Sequence, residues 1–570
     1  MRYLITSALP YINGVKHLGN LVGSMLPADV YARYLRGRGH EVLYICATDE
    51  HGTPAELAAA EAGLDVAEYC AREHQIQRDL GERFGLSWDH FGRSSSPQNA
   101  ELTRHFAGRL RDHGLLEEVV TEQVYSLDDG RFLPDRYIIG TCPYCGYERA
   151  RGDQCENCTR LLEPALLINA RSAISGSTNL ERRSTKHLYI RQSQMAERVR
   201  EWIDSHDDWP VLVTSIAHNW LNVGLEDRSI TRDLKWGVAV GWPGWEDKVF
   251  YVWFDAPIEY IGATNEWADL APGERDWRGW WYGDTDVRYM QFMGKDNIPF
   301  HTINFPVTII GAQEPWKLVD YIKGFNYLTY YGGKFSTSQQ RGIFMDAAID
   351  LLPADYWRYY LMANAPESDD TEFTWESFAF NVNKDLAGIF GNFVARTLKF
   401  TQRRFGDVVP EGGVPGPEEA QLARDVDEAM STYVSEMDAV RFRPAAFALR
   451  SLWTAGNQYL DRTAPWNEAD DQRVACVLRT AINLARIDAV VAHAFVPFAC
   501  ERLARDLALR ADEWRWPGAA TDELQVLEPG RAFTVGEALF PRIGDRSTLN
   551  AWVAEMEARF GGRETAGVAG

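Results

Sequence analysis

Four cysteines of this 570-residue chain fall in two pairs, Cys142-x-x-Cys145 and Cys155-x-x-Cys158. Two thiolate pairs at this spacing, each in a tight turn with Gly146 or Gly152 nearby, can surround a tetrahedral ion. Four sulfurs favour zinc. With every coordination position filled by protein, such a site is structural rather than catalytic. The competing reading is a set of free or disulfide-paired thiols. Two other segments carry groups suited to phosphate. His17-Leu18-Gly19-Asn20 opens a helix after a first short strand, where unpaired N–H groups and partial positive charge favour an anion. Its imidazole can donate to a phosphoryl oxygen, and Gly19 leaves room for a nucleotide. Gly332-Gly333-Lys334-Phe335-Ser336-Thr337-Ser338 is a glycine-led loop with one lysine and three hydroxyls, able to close over a triphosphate. Taken singly, the first segment reads equally as an ordinary helix start and the second as a surface turn.

The elements that must position these groups alternate. Residues 3–8 read as a strand, followed by a loop with Pro10, Asn13 and Gly14 and by a helix that Pro27 should perturb. Residues 41–47 (EVLYICA) form the next buried strand, ending at Thr48-Asp49-Glu50-His51-Gly52. Strand–helix alternation predicts an α/β fold with a parallel, doubly wound sheet, whose ligands bind at the carboxyl ends of the strands. Residues 119–210, with the cysteines and short strands, break this rhythm and read as an insertion. Residues 248–255 (KVFYVWFD) and 287–293 then read as strands. From about residue 378 the period is helical, with residues 408–417 as the clearest loop and Ala464-Pro465-Trp466 punctuating two later helices. The closing GGRETAGVAG reads as unstructured.

The length predicts two to four domains, and 45% apolar with 25% charged residues predicts a folded chain. No apolar run has the length of a membrane span, and the N-terminus is not a secretory signal. The net charge of −22 speaks against non-specific DNA binding but not against one local basic face. Cys46, Cys70, Cys476 and Cys500 are isolated in apolar stretches and read as buried small hydrophobes of a reducing compartment.

In this order along the chain, the two nucleotide segments resemble the "HIGH" and "KMSKS" elements of class I aminoacyl-tRNA synthetases. Within that class the chain resembles the methionyl-tRNA synthetase family, through SALPYING, CATDEHGTP, FLPDRYIIGTCPYCG, RGDQCENC, ITRDLKWG, YVWFDAPIEY and GKDNIPFH. The resemblance covers about residues 3–540. It implies a Rossmann-type sheet (1–118 and 213–345) split by a zinc-bearing insertion (119–212), a stem-contact connector (346–377), an α-helical anticodon-binding bundle (378–535) and a C-terminal extension (536–570). It implies ATP-dependent attachment of L-methionine to tRNA(Met) through a methionyl adenylate, by a cytoplasmic monomer using Mg2+ with ATP and one structural Zn2+. His17, Asn20 and Lys334 match the catalytic positions. Gly19, Arg232, Gly294, Asp296, Leu328, Lys334 and Ser336 match ATP contacts. Leu9, Tyr11, Asp49, Trp253, Ala256, Pro257, Tyr260 and His301 match the methionine pocket, with Asp49 holding the substrate ammonium. Asn392, Arg396 and Trp466 match anticodon readers, and Cys142, Cys145, Cys155 and Cys158 the zinc ligands.

Asn20 stands where the family's first motif ends in histidine, and Thr337 replaces a lysine of the second. With Asn297, these variants resemble the archaeal/eukaryotic-type branch. That branch often has a second knuckle, whose ligand positions here hold Ser126, Asp128, Ser172 and Ser175. Hydroxyls are poor zinc ligands, so one zinc is expected. Three other readings compete: a paralogue adenylating an amino acid for another acceptor, an inhibitor-resistant duplicate, and a non-catalytic RNA-binding protein.

Overall fold

The computed structural model describes residues 1–561 apart from residues 153, 154, 156, 159, 161, 163, 284, 338, 545 and 546. Most of the closing GGRETAGVAG, and Ser338, thus lie outside the described residues. Five strands make the central sheet: β1 (Arg2–Ser7), β2 (Glu41–Thr48), β3 (His90–Arg93), β4 (Val287–Gly294) and β5 (Tyr321–Phe325), in the order β5-β4-β1-β2-β3. All neighbours are parallel. β1 is covered on both faces, and every residue after Arg2 is buried. Its polar side chains are bonded in place: Thr6 Oγ1 lies 3.2 Å from the Tyr289 hydroxyl and Ser7 Oγ 3.2 Å from that of Tyr44.

The strand order reverses at β1, with β2 and β3 on one side and β4 and β5 on the other. A crevice therefore opens at the carboxyl ends of β1 and β4, where neighbouring connections leave for opposite faces. The helix after β1 runs as Leu18–Asn20, a π-helical stretch Leu21–Met25, then Leu26–Gly37. Pro27, at the start of the last piece, accounts for the interruption. It has no N–H to give the preceding turn, and the ladder widens just before it, so that Leu26 N–H bonds back to Leu21. The same device recurs after β4, where π-helical Phe300–Asn304 precedes the Pro306-bearing helix Phe305–Gly311.

Between β3 and β4 lies an antiparallel unit in which Leu116–Ser126 and Leu180–Ile190 pair along their whole length. The cysteines sit between these strands, beside a small sheet of Ile138–Thr141, Ala150–Arg151 and Ile168–Ser172. KVFYVWFD is not one strand: Val249–Phe250 is extended, and Val252–Asp255 turns into helix, with Ala256 N–H bonding back to Val252. A short apolar run buried on all sides carries no period that separates strand from helix.

The C-terminal part is helical. Asn392–Phe405, Pro417–Asp438, Phe442–Thr463, Asp471–Ala492 and Pro497–Asp506 pack into a bundle. Arg358, fully buried on helix Ala354–Ala363, joins it to the sheet domain: it bonds Asp29 at 2.6 Å, the carbonyl of Phe84 at 3.0 Å and that of Ala494 at 2.9 Å. Helix Leu549–Phe560 folds back so that Trp552 and Phe560 pack on Trp375. Cys46, Cys70, Cys476 and Cys500 are buried free thiols. Among the described residues no helix is long and apolar enough to cross a membrane.

Candidate active site

Pro10 has no N–H for a strand partner, so β1 ends before it. The chain nevertheless stays beside the segment leaving β2. Asp49 N–H donates to the Pro10 carbonyl and Ile12 N–H to that of Asp49, both at 3.0 Å. This pairs Tyr11 with Asp49 and sets both at the carboxyl end of the sheet. β4 ends on Gly294, Asp296 follows in the next turn, and His301 comes from the π-helical turn. Trp253 belongs to the turn Val252–Asp255, Ala256 and Pro257 follow it, and Tyr260 stands on helix Glu259–Asp269.

Together these residues enclose a cleft of about 530 Å³, whose wall also includes Leu9, His17, Gly19, Asn20, Leu328 and Lys334. Of the residues expected to contact methionine or nucleotide, all but Arg232 and Ser336 line it. Arg232 lies with its guanidinium carbon 3.6 Å from the Tyr251 ring and bonds the Thr231 carbonyl at 2.9 Å. Ser336 closes its own loop, exchanging backbone hydrogen bonds of 3.1 and 2.9 Å with Arg341.

At one end of the cleft the groups are fixed and mostly neutral. His301 Nδ1 is 2.8 Å from the Asn297 carbonyl, which can only accept, so Nδ1 carries the proton. Nε2 then accepts from the Tyr260 hydroxyl at 2.8 Å. Burial draws the His301 pKa down to about 4. Trp253, 38% exposed, packs on Phe300 with ring centres 4.6 Å apart. Asp49 is half-buried, with its Oδ1 shut off from solvent. Burial first, and then the Asp255 and Glu50 carboxylates, raise its pKa well above the usual carboxylate range. Its Oδ1 has no hydrogen-bond partner among the described residues.

At the other end, His17 and Asn20 cap the helix reciprocally. His17 Nδ1 accepts from Asn20 N–H at 3.2 Å, and Asn20 Oδ1 accepts from His17 N–H at 3.2 Å. The His17 proton is therefore on Nε2. Burial, and then the neighbouring Lys16, lower its pKa to about 4. The imidazole is a neutral donor near pH 7, and Asn20 keeps its amide hydrogens free of the cap. Gly19 has a reason beyond nucleotide access: a Cβ there would stand 3.1 Å from His17 Nδ1. Lys334 is exposed, its ammonium 5.2 Å from the centre of the Tyr327 ring.

The cleft also holds groups that sequence reasoning did not single out: Asn13, Lys16, Phe300, Asn326 and Tyr327. Lys16 had a visible signal, a lysine in the loop that must lie at the end of the first strand. The buried His51–Asp255 pair, 2.6 Å apart, had none, because the two residues are 204 positions apart.

The four sulfurs of Cys142, Cys145, Cys155 and Cys158 lie within 4.8 Å of one another, with Cys142–Cys158 at 3.8 Å and Cys145–Cys155 at 3.6 Å. A zinc ion with sulfurs about 2.3 Å away in a tetrahedron needs them about 3.8 Å apart, so the set fits. These distances are too long for disulfides. The second-knuckle positions form a hydrogen-bonded network instead. Ser126 Oγ donates to Asp129 at 2.6 Å, and Asp128 accepts from Ser177 at 2.5 Å and Asn179 at 2.9 Å.

On the helical bundle, Arg396 bonds Asp461 at 2.6 Å and lies 4.9 Å from the centre of the Trp466 ring. Asn392 reaches the same Asn457 oxygen as Arg396, at 3.1 and 3.3 Å. Trp466 is 44% exposed beside a hollow of about 310 Å³ that Phe400, Leu460 and Pro465 line together with Lys399 and Arg403.

A cleft at the switch point of a parallel sheet, a knuckle-bearing insertion and a trailing bundle with an exposed, arginine-backed tryptophan define a class I aminoacyl-tRNA synthetase. The model of the family "tRNA synthetases class I (M)" matches residues 3–398, and that of "Anticodon binding domain of methionyl tRNA ligase" matches residues 409–565. The chain belongs to the methionyl-tRNA synthetase family. It is 58% identical to a methionine–tRNA ligase of Caulobacter vibrioides over 99% of this chain and 100% of that one. It is 57% identical to that of Streptomyces avermitilis over 98% and 99%. A solved structure of Mycobacterium tuberculosis methionyl-tRNA synthetase in complex with methionyl-adenylate shares the fold, with TM-score 0.75 and 23% identity over 95% of this chain and 100% of that one. These relatives are bacterial and lend no support to the archaeal/eukaryotic-type branch expected from Asn20, Thr337 and Asn297.

Proposed function

We propose that the chain joins L-methionine to tRNA(Met) in two steps, through a methionyl adenylate made in the 530 Å³ cleft. The observation that carries this reading is Asp49, a carboxyl whose Oδ1 is buried and unpartnered among the described residues, in a cleft walled at that end by Leu9, Tyr11, Trp253, Ala256, Pro257, Tyr260 and His301. A buried acid offers an ammonium the partner it lacks, and an apolar, aromatic wall suits a flexible thioether.

In the first step a carboxylate oxygen of methionine attacks the α-phosphorus of ATP. The bond to the β-phosphate oxygen breaks and pyrophosphate leaves with its electron pair. No protein nucleophile takes part; the protein aligns the reactants and stabilises charge on phosphoryl oxygens. The neutral His17 donates through Nε2, Asn20 through its amide, and Lys334 contributes positive charge. Gly294 and Asp296 hold the ribose, the Leu328 backbone meets adenine, and Gly19 leaves the nucleotide room. Arg232 and Ser336 join the phosphates when the loop closes over them. Magnesium enters with the triphosphate. In the second step a terminal ribose hydroxyl of tRNA attacks the acyl carbon, its proton passes to the departing phosphate, and AMP leaves.

Asn392, Arg396 and Trp466 read the anticodon: an exposed indole stacks an unstacked base, and amide and guanidinium bond base edges. The four cysteines hold one structural zinc, which fixes the knuckle and takes no part in the chemistry. Residues 1–118 and 213–345 act as the catalytic halves, 119–212 as the insertion, 346–377 as the connector, 378–535 as the anticodon-binding bundle and 536–570 as its extension. The enzyme works in the cytoplasm as a monomer.

ATP–pyrophosphate exchange with a panel of amino acids tests the first step, and charging of initiator and elongator tRNA(Met) the second. Exchange is expected to depend on methionine. Exchange strongest with another amino acid, or methionine-dependent exchange without charging, refutes the reading.

A further inference from the structure

Lys16 is 95% enclosed, its residue retaining 5% exposure, in the wall of the same cleft. Its ammonium has three donors, and among the described residues its hydrogen-bond acceptor is Asn13 Oδ1, at 2.8 Å. A single neutral amide compensates little of the cost of burying a charged ammonium. Lys16 and Asp49 attract one another, and no ion pair within 4 Å joins them among the described residues. The position of Lys16 is fixed by the fold: its carbonyl accepts from Met345 N–H at 2.8 Å, and the next residue, His17, starts the capped helix. The cleft wall thus carries a carboxyl with a buried, unpartnered oxygen and, next to His17, a buried amine, each with bonding capacity to spare. That is the complement of a zwitterion.

We propose that Lys16 binds the carboxylate of the amino-acid substrate while Asp49 holds its ammonium. The proposal rests on the reading of this cleft as an amino-acid-activating site and adds to it a second charged anchor. Asn13 holds Nζ toward the cleft. The substrate carboxylate completes the coordination of Nζ and is thereby turned toward the phosphates beyond His17. The attack then proceeds as already described: one carboxylate oxygen forms the bond to the α-phosphorus and pyrophosphate departs. Lys16 neither gives nor takes a proton in that step. Burial lowers the Lys16 pKa to about 7, against the pull of Glu73 and Asp49. An arriving carboxylate acts in the same direction as those acids and favours the charged form.

The test compares methionine with methioninol, which keeps the amine and thioether and replaces the carboxylate by an alcohol. Binding of each to the full-length protein is measured by calorimetry in wild type, Lys16→Met, Lys16→Arg and Asn13→Ala. In Lys16→Met, methionine is expected to bind about tenfold or more weakly and methioninol within about twofold of wild type, the loss of one charge-assisted hydrogen bond. Lys16→Arg should recover most of the methionine affinity. Asn13→Ala, a milder change that leaves the lysine in place, should weaken methionine about threefold and spare methioninol. Equal losses for both ligands, or no loss for either, overturn the proposal. If Lys16→Met does not fold, Asn13→Ala alone decides by the same comparison. A wild-type protein that binds neither ligand refutes the activating site itself, an outcome distinct from loss of selectivity for the carboxylate.

Discussion

The imidazole of His17 and the ring of Phe335 lie 5.2 Å apart, tilted by 38°. The two motif segments, more than 300 positions apart, touch through this pair. They are held there by backbone: Leu18 N–H bonds the Ile343 carbonyl at 3.0 Å, and His17 bridges Phe344. Gly342 makes room for the phenyl ring, since a Cβ there would stand 2.1 Å from Phe335 Cδ1. Phe335→Ala should therefore slow ATP–pyrophosphate exchange about tenfold while methionine affinity stays within about twofold, because it loosens His17 and leaves the apolar end intact. Equal loss of rate and methionine affinity would count against this.

Asp49 yields a prediction with a sign in pH. Its pKa is raised in the free protein by burial and by neighbouring carboxylates, whereas an ammonium ligand needs the ionised form. Methionine binding should weaken as pH falls and release fewer protons as pH rises. Asp49→Asn should lower methionine affinity about 100-fold and remove this acid-side dependence. Calorimetry across pH in buffers of different ionisation enthalpy measures both effects.

The Asp29–Arg358 pair, fully buried and 2.6 Å apart, should dominate acid stability at the junction of sheet domain and bundle. Burial alone would raise the Asp29 pKa, but Arg33, Arg358 and Ser87 outweigh it and hold it at about 2 against a usual 3.8. The folded pKa is depressed, so the stabilisation is present above about pH 4 and disappears as pH falls toward 2; it amounts to about 2 kcal/mol. Arg358→Met should cost about 3–5 kcal/mol by leaving Asp29 buried without its partner. Denaturant unfolding of Arg358→Met, Asp29→Asn and the double variant checks this, and the double variant should be less destabilised than the sum.

Trp466→Ala should reduce the efficiency of tRNA charging about 10- to 100-fold, the worth of one stacked base, and leave ATP–pyrophosphate exchange unchanged. Exchange impaired alongside charging would mean that the indole supports the bundle rather than reads RNA.

Metal analysis should give one zinc per chain, removed by strong chelators and lost in Cys155→Ser. Two tightly held zinc ions would refute the assignment, since the Ser126–Asp129 and Asp128–Ser177 contacts already occupy the other knuckle positions.

Much of this was legible from local sequence. Strand–helix alternation gave a parallel sheet, paired Cys-x-x-Cys turns gave the four-sulfur cluster, and Pro27 gave the break in the first helix, because each is a short-range rule of geometry or backbone chemistry. The resemblance named about half of the residues of the cleft wall. The run KVFYVWFD misled because a segment buried on all sides has no periodicity, and the helical turn that carries Trp253 was therefore read as strand. Lys16 was readable as a residue but not as a charge in a cavity. Tertiary structure alone decided three things: that His17 is a neutral Nε2 donor, that the Asp49 Oδ1 and the Lys16 ammonium are buried with bonding capacity to spare, and that His17 meets Phe335. Each depends on burial and on partners distant in the chain. Sequence spacing determines which chemistry is available, and only packing determines its protonation and its neighbours.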